Sequence, residues 1–130
     1  MTESASHETK SVAVIGASNN RSKYGNKAVR AYMRMGYKVY PINPNEREIE
    51  GLPAYPSVLD VPEPIDRATF YVPPQVGMQV IEDVARKKIP EVFFNPGSES
   101  EELIAKARQL GIEPIVACSI MALGMSPDDL

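Results

Sequence analysis

Residues 16–25 read GASNNRSKYG, and their types suit one kind of chemistry. Gly16 permits a tight turn. The small Ala17 and Ser18 let a ligand approach the backbone. Ser18, Arg21 and Lys23 can add donors and positive charge. If a helix opens near Tyr24 and Gly25, its free N–H groups favour an anion, phosphate above all. No carboxylate occurs from residue 9 to residue 45. Residues 1–45 carry seven basic and two acidic side chains, whereas residues 46–130 carry seven and 15. The net charge of -3 therefore hides a basic first third. The competing reading is an ordinary polar connection with solvated helix faces.

Other chemistries find less support. The segment lacks the second and third glycines of a GxGxxG fingerprint, and no Gly-Lys-Ser/Thr follows to make a Walker loop. A dinucleotide site expects an acid at the end of the second strand to hold the ribose hydroxyls. Here that place reads PINP, and Glu46 falls beyond it, which counts against NAD. Arg47 keeps NADP open. The single histidine, His7, lies in a polar leader, so a Ser-His-Asp or Cys-His arrangement is not expected. The single cysteine, Cys118, excludes an internal disulfide framework and a Cys-rich metal site. It reads either as a small buried hydrophobe or as a group facing a thiol ligand. No acid, base and nucleophile form a catalytic constellation.

The elements that must position these residues alternate. Residues 11–16 (SVAVIG) read as a buried strand, and residues 24–35 as a helix with Val29, Tyr32 and Met33 on its apolar face and Gly36 as its stop. Residues 37–42 read as a second strand ending at Pro41. A weak third strand is expected at 52–55, followed by a strand at 66–72 and a helix at 75–88. That helix places Val76, Val80, Ile81 and Val84 on one face. A strand at 90–95 leads to a helix opened by a capping box of Ser98 and Glu101. Leu103, Ile104, Ala107 and Leu110 line this helix. A last strand covers 112–118, and the tail from residue 119 forms a short helical turn, with Met121 and Met125 able to cover a site. Strand–helix alternation of this kind predicts an α/β fold. The expected architecture is a Rossmann-like, doubly wound, mainly parallel sheet of five to six strands with helices on both faces. At 130 residues there is room for one domain, at 11–130, behind a flexible polar tail at 1–10. No apolar run approaches the ~20 residues of a spanning helix, and the expected location is the cytoplasm.

The motifs VAVIGAS, YPINPN, GLPAYPSVLDVPEPID, TFYVPP and FNPGS stand in this order along the chain. Together they resemble a stand-alone CoA-binding domain of the succinyl-CoA synthetase α-subunit type. The resemblance implies that Gly16, Ala17, Ser18 and the helix start at Tyr24 and Gly25 hold the CoA pyrophosphate. It implies that Pro41, Asn43 and Pro44 flank adenine and ribose, with Arg47 a candidate for the 3′-phosphate. Val72, Pro73 and Pro74 would border the adenine and pantetheine path, and Asn95, Pro96 and Gly97 would lie near the pantetheine arm. The expectation is a module that binds coenzyme A or an acyl-CoA without catalysis of its own. It would act alone, as a homodimer or beside a partner ligase subunit, with no nucleic-acid or membrane partner. An NAD(P)-binding oxidoreductase is the alternative.

Overall fold

The computed structural model describes residues 9–130. His7 and most of the expected 1–10 tail lie outside the described residues. The elements are β1 (Ser11–Ile15), α1 (Tyr24–Arg34), β2 (Lys38–Ile42), β3 (Glu48–Ile49), β4 (Leu52–Pro53), β5 (Arg67–Phe70), α2 (Pro74–Lys87), β6 (Glu91–Phe94), α3 (Glu101–Gln109), β7 (Pro114–Val116) and α4 (Ser119–Ala122). Short 3₁₀ turns occupy Val58–Asp60 and Pro127–Asp129.

Five strands form one parallel sheet in the order β2-β1-β5-β6-β7. All five residues of β1 are buried, as expected of a central parallel strand covered on both faces. One face carries Ala13, Ile15, Ala68, Phe70, Val92 and Phe94 against Ile81 and Val84 of α2 and Leu103 and Ala107 of α3. The other carries Val12, Val14 and Val39 against Ala28, Val29 and Tyr32 of α1 and Ile120 of α4. The α1 crossover therefore lies on one face and the α2 and α3 crossovers on the other, the arrangement of a doubly wound sheet.

Several boundaries and faces differ from expectation. The third strand is not part of the main sheet: β3 and β4 pair antiparallel as a separate hairpin. Of these residues Tyr55 alone is paired to the sheet, through a bridge to Ile42. Pro53 and Pro56 lack the donors that a longer ladder would need. Pro41 sits inside β2 without loss. Its carbonyl accepts from Tyr55 N at 2.9 Å on the outer side, so its missing N–H also falls on the edge.

The cap of α3 is Ser100, whose hydroxyl accepts from Leu103 N at 3.1 Å, rather than Ser98. Glu101 and Glu102 occupy the first helical turn, where the helix dipole favours them. The buried stripe of α2 is Gly77, Ile81 and Val84, leaving Val76 at 43% exposure. Gly77 sets this phase by letting α2 approach Leu103 closely. Met33 and Leu110 are likewise exposed at the ends of their helices.

Lys88 ends α2 with φ 60, a left-handed conformation that costs an L-residue about 1 kcal/mol. Its amide and that of Ile89 close the helix on Ala85 and Val84. Lys88→Gly is expected to stabilise the fold by about 1 kcal/mol, a rise of a few degrees in Tm by calorimetry.

Candidate functional site

A cleft of about 1100 Å³ opens beyond the carboxyl ends of β1, β2, β5 and β6. It lies at the switch point, where α1 leaves for one face of the sheet and α2 for the other. The exit of β1 contributes Gly16, Ala17 and Ser18, and the start of α1 contributes Lys23, Tyr24 and Gly25. Ile42, Asn43, Pro44 and Asn45 come from the exit of β2, and Tyr71, Val72 and Pro73 from that of β5. Val76, Gln79 and Val80 of α2 line one wall, and residues 95–98 (NPGS) follow β6. Ile15, Pro56, Cys118, Met121 and Pro127 complete it. No carboxylate is among the described residues that line the cleft, and Lys23 is the one lining residue with a full charge.

The 16–25 turn is built by close approach. Gly16 has φ +92, and a Cβ on it would lie 2.8 Å from the Tyr71 carbonyl oxygen. A Cβ on Gly25 would collide with the Gly16 carbonyl oxygen. The helix start therefore packs directly on the end of β1, the closeness that the third fingerprint glycine provides elsewhere. Asn43 Nδ2 donates to Ala17 O at 2.8 Å, and Asn26 Nδ2 donates to Ser18 O at 2.8 Å. Within a planar trans peptide, C=O and N–H point opposite ways. The N–H groups of Ser18 and Asn19 thus face away from those two amides, and neither has a partner among the described residues. Lys23 precedes α1 without a side-chain cap, and no acid occupies the first turn. These unsatisfied donors give this end of the cleft an electrostatic character that favours an anion.

A second layer holds the turn. Asn26 is fully buried, and its Nδ2 also donates to Glu50 Oε2 at 3.0 Å, while Arg30 Nε donates to its Oδ1 at 2.7 Å. Asn19 Nδ2 donates to Glu46 Oε1 at 2.9 Å and to Glu48 O at 3.0 Å. The β3–β4 hairpin is thereby tied to the turn.

Thirteen of the 17 site residues expected from sequence line this one cleft: Gly16, Ala17, Ser18, Lys23, Tyr24, Gly25, Asn43, Pro44, Val72, Pro73, Asn95, Pro96 and Gly97. Arg21, Pro41, Arg47 and Pro74 are not among its lining. Arg21 is held by Glu50 at 3.0 Å, and Pro41 is buried in β2. Arg47 is exposed in the connection before β3, and Pro74 is the first residue of α2. Tyr71, Gln79 and Ser98 line the cleft unforeseen. Gln79 carries only a helical-spacing signal, and Ser98 is masked by its likeness to a helix cap.

Beneath the cleft lies a buried polar network. Asn95 Nδ2 donates to Thr69 Oγ1 at 2.7 Å and to Phe70 O at 2.8 Å, and its Oδ1 accepts from Ser119 N at 2.8 Å. The hydroxyls of Thr69 and Ser119 lie 2.8 Å apart, and that of Tyr71 lies 3.2 Å from Ser119. Burial pushes the Tyr71 phenol up to about 12, against the opposing effect of its hydrogen bond with Ser119.

Two expectations follow. Gly25→Ala should destabilise the protein by about 1–3 kcal/mol, measured by urea unfolding, since helix and strand must separate to admit the methyl group. The folded Tyr71 pKa lies above the unfolded value near 10, so its contribution is complete below pH 10 and lost as pH rises towards 12. Tyr71→Phe should shrink that alkaline loss by about 2 kcal/mol, read as unfolding free energy against pH.

The family described as CoA binding domain matches residues 10–124. An ADP-forming acetate–CoA ligase I from Archaeoglobus fulgidus is 42% identical over 114 residues, covering 80% of this chain and 17% of the ligase. The α subunit of an ADP-forming acetate–CoA ligase I from Pyrococcus furiosus is 33% identical, covering 93% of this chain and 29% of the subunit. The chain thus spans less than a third of the length of these two relatives. Among solved structures, a conserved hypothetical protein from Pyrococcus furiosus superposes with a TM-score of 0.82 at 38% identity, covering 87% of this chain and 98% of that one. A Rossmann-like sheet, a cleft at its switch point and a match over 10–124 converge, and the chain belongs to the CoA-binding domain family.

Proposed function

We propose that the chain binds coenzyme A or an acyl-CoA in this cleft, as a module without catalysis of its own. The observation that carries the reading is the pairing of an acid-free cleft with an uncapped helix start packed on Gly16. The phosphates would rest on Gly16, Ala17, Ser18 and the amides of Tyr24 and Gly25, with Lys23 adding charge. Adenine would lie near Asn43 and Pro44, whose ring offers a rigid apolar wall. The pantetheine arm would run past Val72 and Pro73 towards Pro96 and Gly97. A cleft of about 1100 Å³ suits a ligand of this size. Coenzyme A supplies a thiol that carries acyl groups as thioesters. Lys23, Tyr24, Tyr71 and Cys118 are the titratable groups in the lining, and they offer no carboxylate or imidazole for acid–base work.

Partnership with a ligase subunit is the second reading, favoured by the small share of the ligase relatives that the chain spans. Co-elution with a ligase chain on gel filtration, or elution as a homodimer, separates these from a free-standing module. No helix among the described residues is long and apolar enough to cross a membrane, and a cytoplasmic location fits a CoA-dependent role.

Isothermal titration should show binding of coenzyme A in preference to NAD, NADP and ATP. Clear heat with NADP and none with coenzyme A overturns the reading. Ser18→Asp places a carboxylate beside the phosphates and should weaken coenzyme A at least tenfold, about 1.4 kcal/mol. An unchanged affinity would put the phosphates elsewhere.

A further inference from the structure

The turn after β6 presents few polar groups that are free. Asn95 is 2% exposed, and its amide is consumed by Thr69, Phe70 and Ser119. Pro96 has no donor. The Gly97 amide donates to Glu99 Oε1 at 2.8 Å, and the Ser98 amide donates to Asn95 O at 2.9 Å. Pro96 and Gly97 occupy the centre of this turn with Gly97 at φ +93, as a type II turn requires.

One group remains. Ser98 lines the cleft and is only 5% exposed, and its hydroxyl has no hydrogen-bond partner among the described residues. Ser98 does not cap α3, because Ser100 does. A buried hydroxyl without a partner is costly and uncommon, and it calls for an occupant that completes it.

The position of Ser98 says what that occupant is. The anion end of the cleft lies at the exit of β1, and Ser98 follows β6, two strands away across β5. Neighbouring strands are about 4.8 Å apart, so the separation is roughly 10 Å. No cation lines the cleft at residues 95–98, so a phosphate finds no counter-charge there. A neutral hydroxyl in a recess matches a neutral amide or hydroxyl. Resting on the coenzyme A reading, we propose that Ser98 hydrogen-bonds the amide-bearing pantetheine arm. It thereby selects ligands that carry the arm over nucleotides that end at the diphosphate.

Titration calorimetry with two ligands tests this: coenzyme A, and adenosine 3′-phosphate 5′-diphosphate, which is the same nucleotide without the arm. Ser98→Ala should weaken coenzyme A roughly five- to tenfold, the value of one hydrogen bond in a recess. The same variant should bind the armless nucleotide within about twofold of wild type. The Tm of its unliganded form should not fall, because the hydroxyl has no protein partner to lose. Equal weakening of both ligands, or a lowered Tm, would make Ser98 a support of the turn and overturn the proposal. Unchanged binding of coenzyme A overturns it as well. A wild-type chain that binds the armless nucleotide and coenzyme A equally also removes it, but leaves the phosphate site standing. If wild type binds neither, the coenzyme A reading and the proposal fall together.

Discussion

Gly25 stands against the Gly16 carbonyl so closely that no side chain fits between the first turn of α1 and the end of β1. The rest of the site depends on that contact. Moving the helix outward by one methyl group would carry its free amides away from the switch point. It would also pull Asn26 away from the Ser18 carbonyl that it holds at 2.8 Å. A helix N-terminus attracts an anion only over the first turn, so its distance from the strand exit sets how strongly this end of the cleft can favour one. Two glycines nine residues apart provide the approach that a tighter glycine fingerprint gives in other nucleotide folds.

Charge follows the same logic. The basic first third does not converge on the cleft. Arg21 is turned to Glu50, Arg30 to Asn26 and the Arg21 carbonyl, and Lys23 alone of the charged side chains lines the cleft. What marks the cleft is the exclusion of carboxylates. The nearby acids are spent on the scaffold: Glu46 on Asn19, and Glu50 on Arg21 and Asn26. Glu50 has a left-handed backbone, φ 52, because with Gly51 at φ 79 it forms the two-residue turn between β3 and β4. The strain of about 1 kcal/mol is offset by charge-assisted hydrogen bonds to a buried amide and a guanidinium.

The floor of the cleft shows two polar residues of one turn playing different parts. Asn95 and Ser98 stand three positions apart in one turn. Asn95 ties β5, β6 and the start of α4 together, and its donors and acceptor are used up. Ser98 uses its backbone to close the turn and keeps its hydroxyl free. The polar network below is rigid because it is satisfied. The unpaired Ser98 hydroxyl above it stands out for the same reason.

Much of this was legible in the residues themselves. Alternating β-branched runs and helical spacing dictated an α/β order, because a strand buried on both faces must be apolar throughout. The turn at 16–25 declared itself through glycine, small residues and the lack of acids. Four kinds of decision lay beyond local pattern. Whether residues 52–55 joined the sheet was settled by pairing with Glu48 and Ile49, which took Leu52 and Pro53 into the hairpin and left Tyr55 alone to bridge to β2. The buried phase of α2 was set by the close passage of Gly77 over Leu103, not by which residues are apolar. The direction of Arg21 was decided by Glu50, 29 positions away. The freedom of Ser98 was decided by Ser100 taking the cap. Sequence alone determined the element types and the chemistry of the site, since both arise from short-range propensity and composition. Tertiary structure decided which side chains reach the cleft, because partners distant in sequence compete for each donor and acceptor, and only packing shows which of them wins.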